Sequence, residues 1–152
     1  MMKIEIDLSN RLEESGPTYV ALANHRRYII KIPSAVIQLG WAILKARHVP
    51  RKEVKPLLWT AILFLLLEPH LERLSKQPAK IVIDNEYDGY QVTIKRELLR
   101  YIRLRFDTFP AHKIVIASVG KQSPAHDIAI KAKRKKMASH KTITDQELLK
   151  LF

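Results

Sequence analysis

The sequence predicts an α/β domain built on a mixed five-stranded sheet, an antiparallel meander joined to parallel strands, with helices on its flanks. Short β-rich runs lie close together in the first part of the chain. Later apolar runs are separated by helix-length segments, which allow crossovers between parallel strands. The chain has 152 residues, 47% of them apolar and 28% charged, as expected for one globular domain.

The first three strands are predicted close together. Residues 3–8 alternate between polar and apolar types, which is typical of a strand with one buried face. Residues 18–23 and 27–32 are two further β-rich runs, and Asn24-His25-Arg26 between them favours a hairpin turn. The chain therefore opens with an antiparallel meander.

Two helices are predicted before the fourth strand, over residues 34–47 and about 50–76, with Pro56 and Pro69 near the start of the second helix or at a kink. The apolar run 57–67 within the second helix is shorter than the roughly 20 residues that cross a bilayer, so we expect a buried core helix and no membrane association. The acidic N-terminus has no export signal and the chain has no cysteine, which favours a cytoplasmic protein.

Strands and helices alternate in the rest of the chain. Residues 80–84 and 113–118 are predicted strands, and between them an amphipathic helix spans residues 91–106. Ser123-Pro124 begins the last main helix. We expect residues 1–137 to form the domain, followed by a basic linker and a short helix over residues 138–152.

The net charge is +12, from 27 Lys and Arg against 15 Asp and Glu, and it predicts a polyanionic partner such as DNA or RNA. A basic surface kept for solubility is the plain alternative. Two groups of cations are expected to neutralise phosphates. They are Arg96, Arg100 and Arg103 on the predicted helix 91–106, and Lys131, Lys133, Arg134, Lys135 and Lys136 on or after the last main helix.

The order of three strands, helices, strand, helix, strand, helix resembles the ribonuclease H-like superfamily, which includes ribonuclease H, Holliday-junction resolvases and transposase-integrase cores. In that superfamily the catalytic carboxylates lie on the first strand, at the end of the fourth strand and on the last helix. The resemblance covers nearly the whole chain and assigns these roles to Asp7, Asp84 and Asp127.

The resemblance also implies metal-dependent nuclease chemistry, with Mg or Mn held by these three acids and by Glu86; Asp88 is a further candidate ligand. Phosphodiester hydrolysis by divalent ions requires hard oxygen ligands that converge on the reacting phosphate. A further acid usually comes from a helix. Because the predicted helix 34–47 contains no acid, Glu68 is chosen for this role, with Glu53 and Glu72 as alternatives.

Each of these acids also has a plain explanation. Asp7 suits a solvated strand end, Asp84 suits a turn, and Asp127 suits the first turn of a helix with Lys131 one turn later. The sequence therefore leaves two rival functions open. One is a nucleic-acid-binding protein without catalysis, and the other is a subunit of a larger complex or a homo-oligomer that docks through the apolar second helix and residues 148–152.

Overall fold

A computed structural model describes residues 2–24, 26–118 and 123–152, and this part of the chain forms a six-stranded mixed sheet flanked by helices. The strands are β1 (Met2–Ser9), β2 (Thr18–Ala23), β3 (Arg27–Ile32), β4 (Ala79–Asp84), β5 (Ile114–Ala117) and β6 (Lys141–Thr142). The helices are α1 (Ser34–Ala46), α2 (Arg51–Leu67), α3 (Leu71–Lys76), α4 (Gln91–Arg103), α5 (Pro124–Lys133) and α6 (Asp145–Leu149).

The strand order is β5-β4-β1-β2-β3-β6, with β1 in the interior of the sheet. The predicted meander is present, since β2 pairs antiparallel with both β1 and β3. Strands β4 and β5 add to it in parallel, beside β1 and β4 respectively. At the β2–β3 turn the backbone N–H of Arg26 donates to Asn24 Oδ1 at 2.8 Å, and His25 lies outside the described residues.

The sixth strand corrects the predicted count of five. It pairs in parallel with β3, Ile30 opposite Lys141, and lies in the segment expected to be a linker. Two residues are too short to show strand periodicity, which is why the sequence pattern missed it. Ile143 and Leu148 that follow it are 1% and 0% exposed, so residues 138–152 pack in the same core as the rest of the chain.

Helix α2 is the core helix that the sequence predicts. It ends at Leu67, and a short 3₁₀ turn containing Pro69 leads into α3. The helical stretch 51–76 is long and apolar enough to cross a membrane by length and composition, but 72% of its most apolar window is buried inside the fold. Most of α2 and Leu148 are buried within the chain, whereas Leu149 is 43% exposed, and docking on a protein partner stays a prediction.

The two faces of the sheet are covered differently. Ile4 and Ile6 of β1 point into the main core with α2 and α4. On the opposite face, small side chains of α5, such as Ala125 and Ala129, pack on β1, β2 and β3. The residues that alternate with the core side chains along β1, among them Asp7, therefore lie on the α5 side.

Candidate metal centre at the carboxyl ends of β1 and β4

Asp7 and Asp84 are brought side by side by the strand register. Strands β1 and β4 are parallel with Ile6 opposite Ile83, so the next residue of each strand is an aspartate. Both aspartates alternate with core-facing isoleucines, which directs both side chains to the α5 side of the sheet. The sequence-predicted pairing of these two acids is present in the structure.

Glu86 completes a cluster with them. One carboxylate oxygen from each of Asp7, Asp84 and Glu86 lies within 4.8 Å of the others. Two ligands on opposite sides of one Mg²⁺ are about 4 Å apart, so small side-chain movements would allow a shared ion. All donors are hard carboxylate oxygens, which suits Mg²⁺ or Mn²⁺. We call these three residues the acidic centre.

The electrostatics of the acidic centre favour a bound cation. Burial, followed by the charge of Asp84, raises the pKa of Asp7, which is 3% exposed. Burial, then a hydrogen bond and the charge of Asp84, raise the pKa of Glu86 to about 8. Arg11 opposes this shift, with its Nε 3.0 Å from Glu86 Oε2. A divalent ion would stabilise all three carboxylates in their ionised form.

Asp7 is held in place by two hydrogen bonds. The backbone N–H of Leu8 donates to Oδ1 at 2.8 Å, and Nδ1 of His126 lies 2.8 Å from Oδ2. His126 is itself positioned at the start of α5, where Ser123 caps the helix and its Oγ accepts from the His126 backbone N–H at 3.0 Å. Helix α5 thus contributes a histidine that contacts Asp7 of the acidic centre.

Asp127, the acid predicted for that helix, is not brought to the acidic centre. Its side chain is 61% exposed, and Oδ2 forms an ion pair with Lys131 at 3.0 Å. The geometry of α5 explains the correction. At 3.6 residues per turn, Asp127 is about 200° around the helix from the sheet-facing Ala125, whereas His126 is about 100° away, beside the sheet. The spacing of the apolar residues along this helix in the sequence indicates which of the two residues lies beside the sheet.

Glu68 is also outside the acidic centre. Its Oε2 pairs with Arg105 Nη2 at 3.0 Å, just past the end of α2. The start of α2 lies near the loop after β1, since Lys55 and Glu13 line one cleft, so Glu68 is at the other end of the helix. Among the described residues, the alternatives Glu53 and Glu72 do not join the acidic centre either.

Asp88, the further candidate ligand, has a local role instead. Its Oδ1 accepts a hydrogen bond from Gln91 Nε2 at 2.7 Å, at the start of α4. This bond, with a second one from Asn85, lowers the pKa of Asp88. The turn that follows β4 therefore supplies Glu86 to the acidic centre, and Asp88 stabilises the turn by hydrogen bonds within it.

The predicted phosphate-binding cations differ in how they are held. On α4, Glu97 pairs with Arg96 at 3.6 Å and with Arg100 at 2.8 Å, and the guanidinium of Arg103 donates to the Phe109 carbonyl. Beyond Lys131, which pairs with Asp127, four exposed cations have no ion pair with a carboxylate in the described part of the chain. These four are Lys133, Arg134, Lys135 and Lys136.

Comparisons of the chain with protein-family models, with curated proteins and with solved structures found no match. The function is therefore argued from the geometry and the charges of the chain itself.

Proposed function

We propose that this chain is a ribonuclease H-like, metal-dependent nuclease that hydrolyses phosphodiester bonds in DNA or RNA in the cytoplasm. The observation that carries the proposal is the meeting of Asp7, Asp84 and Glu86 within 4.8 Å at the carboxyl ends of adjacent parallel strands. The antiparallel meander β1–β3, extended by parallel β4 and β5, supports the ribonuclease H-like assignment.

In the proposed mechanism, Asp7, Asp84 and Glu86 would hold Mg²⁺ or Mn²⁺ through their carboxylate oxygens. A divalent ion held there would lower the pKa of a water and offset negative charge on the phosphodiester. The Leu8 N–H and His126 keep the Asp7 carboxylate oriented toward the acidic centre. Arg11 contacts Glu86 at 3.0 Å and orients it beside the two aspartates; the Glu86 side chain is 12% exposed, but that of Arg11 is 53% exposed and solvated.

The basic residues of the chain are proposed to hold the sugar-phosphate backbone. A net charge of +12 attracts a polyanion over a long range, and contacts to phosphates give affinity without sequence preference. The four cations that follow Lys131 are the best placed for this role, because they have no carboxylate partner among the described residues to lose when they bind a phosphate. Salt should therefore weaken binding steeply.

A second candidate function is nucleic-acid binding without catalysis. The observation that favours it is the acidic centre itself, since within the described residues none of the helical acids weighed for a fourth ligand joins it. Such a protein would bind the same substrates with no metal requirement.

The test is cleavage of labelled duplex, hybrid, single-stranded and branched substrates at low salt with Mg²⁺ or Mn²⁺. Asp84→Asn should reduce cleavage to background while binding persists, because it removes a ligand charge without changing shape. Asp127→Asn is the matched control and should cut as wild type does, since Asp127 is exposed and faces away. Binding of every substrate with no cleavage by the wild-type protein would contradict the nuclease and support the second function.

A further inference from the structure

A cleft of about 720 Å³ lies beside the loop that follows β1. One wall is residues 12–16 of that loop, and the other is formed by α1 and the start of α2, with Gln38, Trp41, Lys45 and Lys55 among its residues. The volume is within the roughly 300 to 1,000 Å³ of ordinary small-molecule sites. We call it the Trp41 cleft.

Trp41 is a half-buried aromatic ring surrounded by cations. The Nζ atoms of Lys45 and Lys55 lie 5.9 and 5.8 Å from the ring centroid. A second, smaller cleft of about 440 Å³ next to the same side chain is lined by Arg51, Lys52 and Lys55. In the described part of the chain, these four cations form no ion pair with a carboxylate, in contrast to Arg96 and Arg100.

The Trp41 cleft is connected to the acidic centre through the loop after β1. Glu13 lines the cleft, and its Oε2 is 3.4 Å from the hydroxyl of Tyr87, the residue after Glu86. Arg11 lies 3.9 Å from Glu13 and 3.0 Å from Glu86. The Trp41 cleft and the acidic centre therefore lie on either side of this one loop.

We propose that the Trp41 cleft binds an unpaired nucleotide of the nucleic-acid strand that lies at the acidic centre; the inference rests on the proposed function for its polyanionic partner. The base stacks on Trp41, and Lys45 and Lys55 neutralise the adjacent phosphates. Every base has a flat π-face, so stacking of this kind tolerates any sequence. The carboxylates of Glu13 and Glu14, which both line the loop wall, repel phosphates, and this places the backbone on the lysine side of the cleft.

The preferred substrate therefore contains a single-stranded or unstacked nucleotide, because the bases of a blunt duplex are stacked on one another and cannot enter the cleft. Binding at the Trp41 cleft requires no metal ion. It can be measured separately from cleavage.

The test measures binding in metal-free buffer at low salt, with a short labelled thymidine oligonucleotide and a blunt two-strand duplex without a loop as probes. The oligonucleotide should quench the tryptophan emission of the wild-type protein, and this reports Trp41 because Trp59 is 0% exposed. By fluorescence anisotropy, Trp41→Leu should bind the oligonucleotide about tenfold more weakly. Trp41→Phe should keep most of the affinity, and the blunt two-strand duplex should bind all three proteins alike.

A charge-matched pair of variants tests the lysines. Lys45→Gln/Lys55→Gln should weaken oligonucleotide binding more than Lys3→Gln/Lys80→Gln does. The control removes the same charge from two exposed lysines that lie opposite each other on β1 and β4, at the far end of these strands from the acidic centre. Equal losses in the two double variants would overturn the proposal, as would wild-type affinity in Trp41→Leu. Metal-dependent cleavage that requires Asp84 would survive that result, whereas failure of every probe to bind would contradict the proposed function as well.

Discussion

Glu86 links the acidic centre to the pH dependence of stability. Its pKa is raised from 4.5 to about 8, chiefly by burial and then by Asp84. Below pH 4.5 the carboxyl is protonated in both the folded and the unfolded chain. Between pH 4.5 and 8 the unfolded chain loses this proton while the folded chain retains it, so the stability of the fold decreases across this window and stays lower above it.

Glu86→Gln removes this titration. In metal-free buffer we expect the variant to melt at a higher temperature than wild type at pH 8, by about 3 °C for each kcal/mol of relieved destabilisation. At pH 4 the advantage should disappear, because the wild-type carboxyl is then protonated. Thermal unfolding followed by circular dichroism at both pH values measures the difference. An equal difference at the two pH values would show that the ionisation of Glu86 is not its cause.

His126 is a positioning residue for Asp7. With Asp7 ionised, the Nδ1–H of His126 donates to Oδ2, and partners of this kind typically change metal affinity by about 10- to 100-fold. His126→Ala should weaken Mn²⁺ binding within that range, and His126→Asn, whose amide can donate a hydrogen bond, should weaken it less. His112→Ala, at an exposed histidine on another element, should bind Mn²⁺ as wild type does. Unchanged Mn²⁺ affinity in His126→Ala would mean that Asp7 needs no such support.

Some residues of the acidic centre and its surroundings could be predicted from the sequence, and others could not. Asp7 and Asp84 could be predicted because the resemblance calls for an acid on the first strand and one at the end of the fourth, and both strands have recognisable sequence patterns. The resemblance calls for an acid on this helix and so selects Asp127, whereas the side chain that contacts Asp7 is that of the neighbouring His126. The contact of Arg11 with Glu86 joins residues 75 positions apart, and no local pattern predicts it.

At the scale of elements, α6 is fixed to the fold by one fully buried side chain. Leu148 is 0% exposed and contacts the core, close to Gly40 of α1. Leu148→Ala should lower the free energy of unfolding by about 3 kcal/mol, from lost burial and the cavity left behind. Its neighbour Leu149 is 43% exposed, and Leu149→Ala should change stability by less than about 0.5 kcal/mol. Urea unfolding compares the two, and similar losses would show that α6 is not docked through Leu148.

The basic residues at the end of α5 and directly after it should dominate the salt dependence of nucleic-acid binding. Each phosphate contact contributes about 0.9 to the slope of log affinity against log salt on duplex DNA. Lys133→Gln/Arg134→Gln/Lys136→Gln should therefore reduce that slope by up to about 3. Arg96→Gln/Arg100→Gln should reduce it less, because Glu97 already pairs with both arginines. A larger effect from the α4 variant, measured by anisotropy over a salt series, would place the phosphate contacts on α4.

The elements were predicted best where a pattern repeats. The strands over 18–23 and 27–32 have the predicted bounds, and α2 is buried as its apolar run indicates. The end of α2 at Leu67 follows from Pro69, which the sequence could only place near a kink. Strand β6 was missed because it is defined by pairing with β3 and not by its own residues.

For the whole molecule, the two faces of the sheet differ in what packs against them. One face and its helices hold most of the apolar core, and the other face carries α5 and the acidic centre beside it. Although the net charge of the chain is +12, three acids lie together near the ends of two strands. Charge repulsion makes such a group unfavourable on its own, and a divalent ion removes that repulsion.

The most direct test of this account is calorimetric titration of Mn²⁺ into the metal-free wild-type protein, Asp84→Asn and Asp127→Asn at pH 8. We predict that wild type and Asp127→Asn bind Mn²⁺ with the same affinity and that Asp84→Asn does not bind at the same concentrations. Equal Mn²⁺ binding by Asp84→Asn and wild type would contradict the assignment of Asp7, Asp84 and Glu86 as a metal centre.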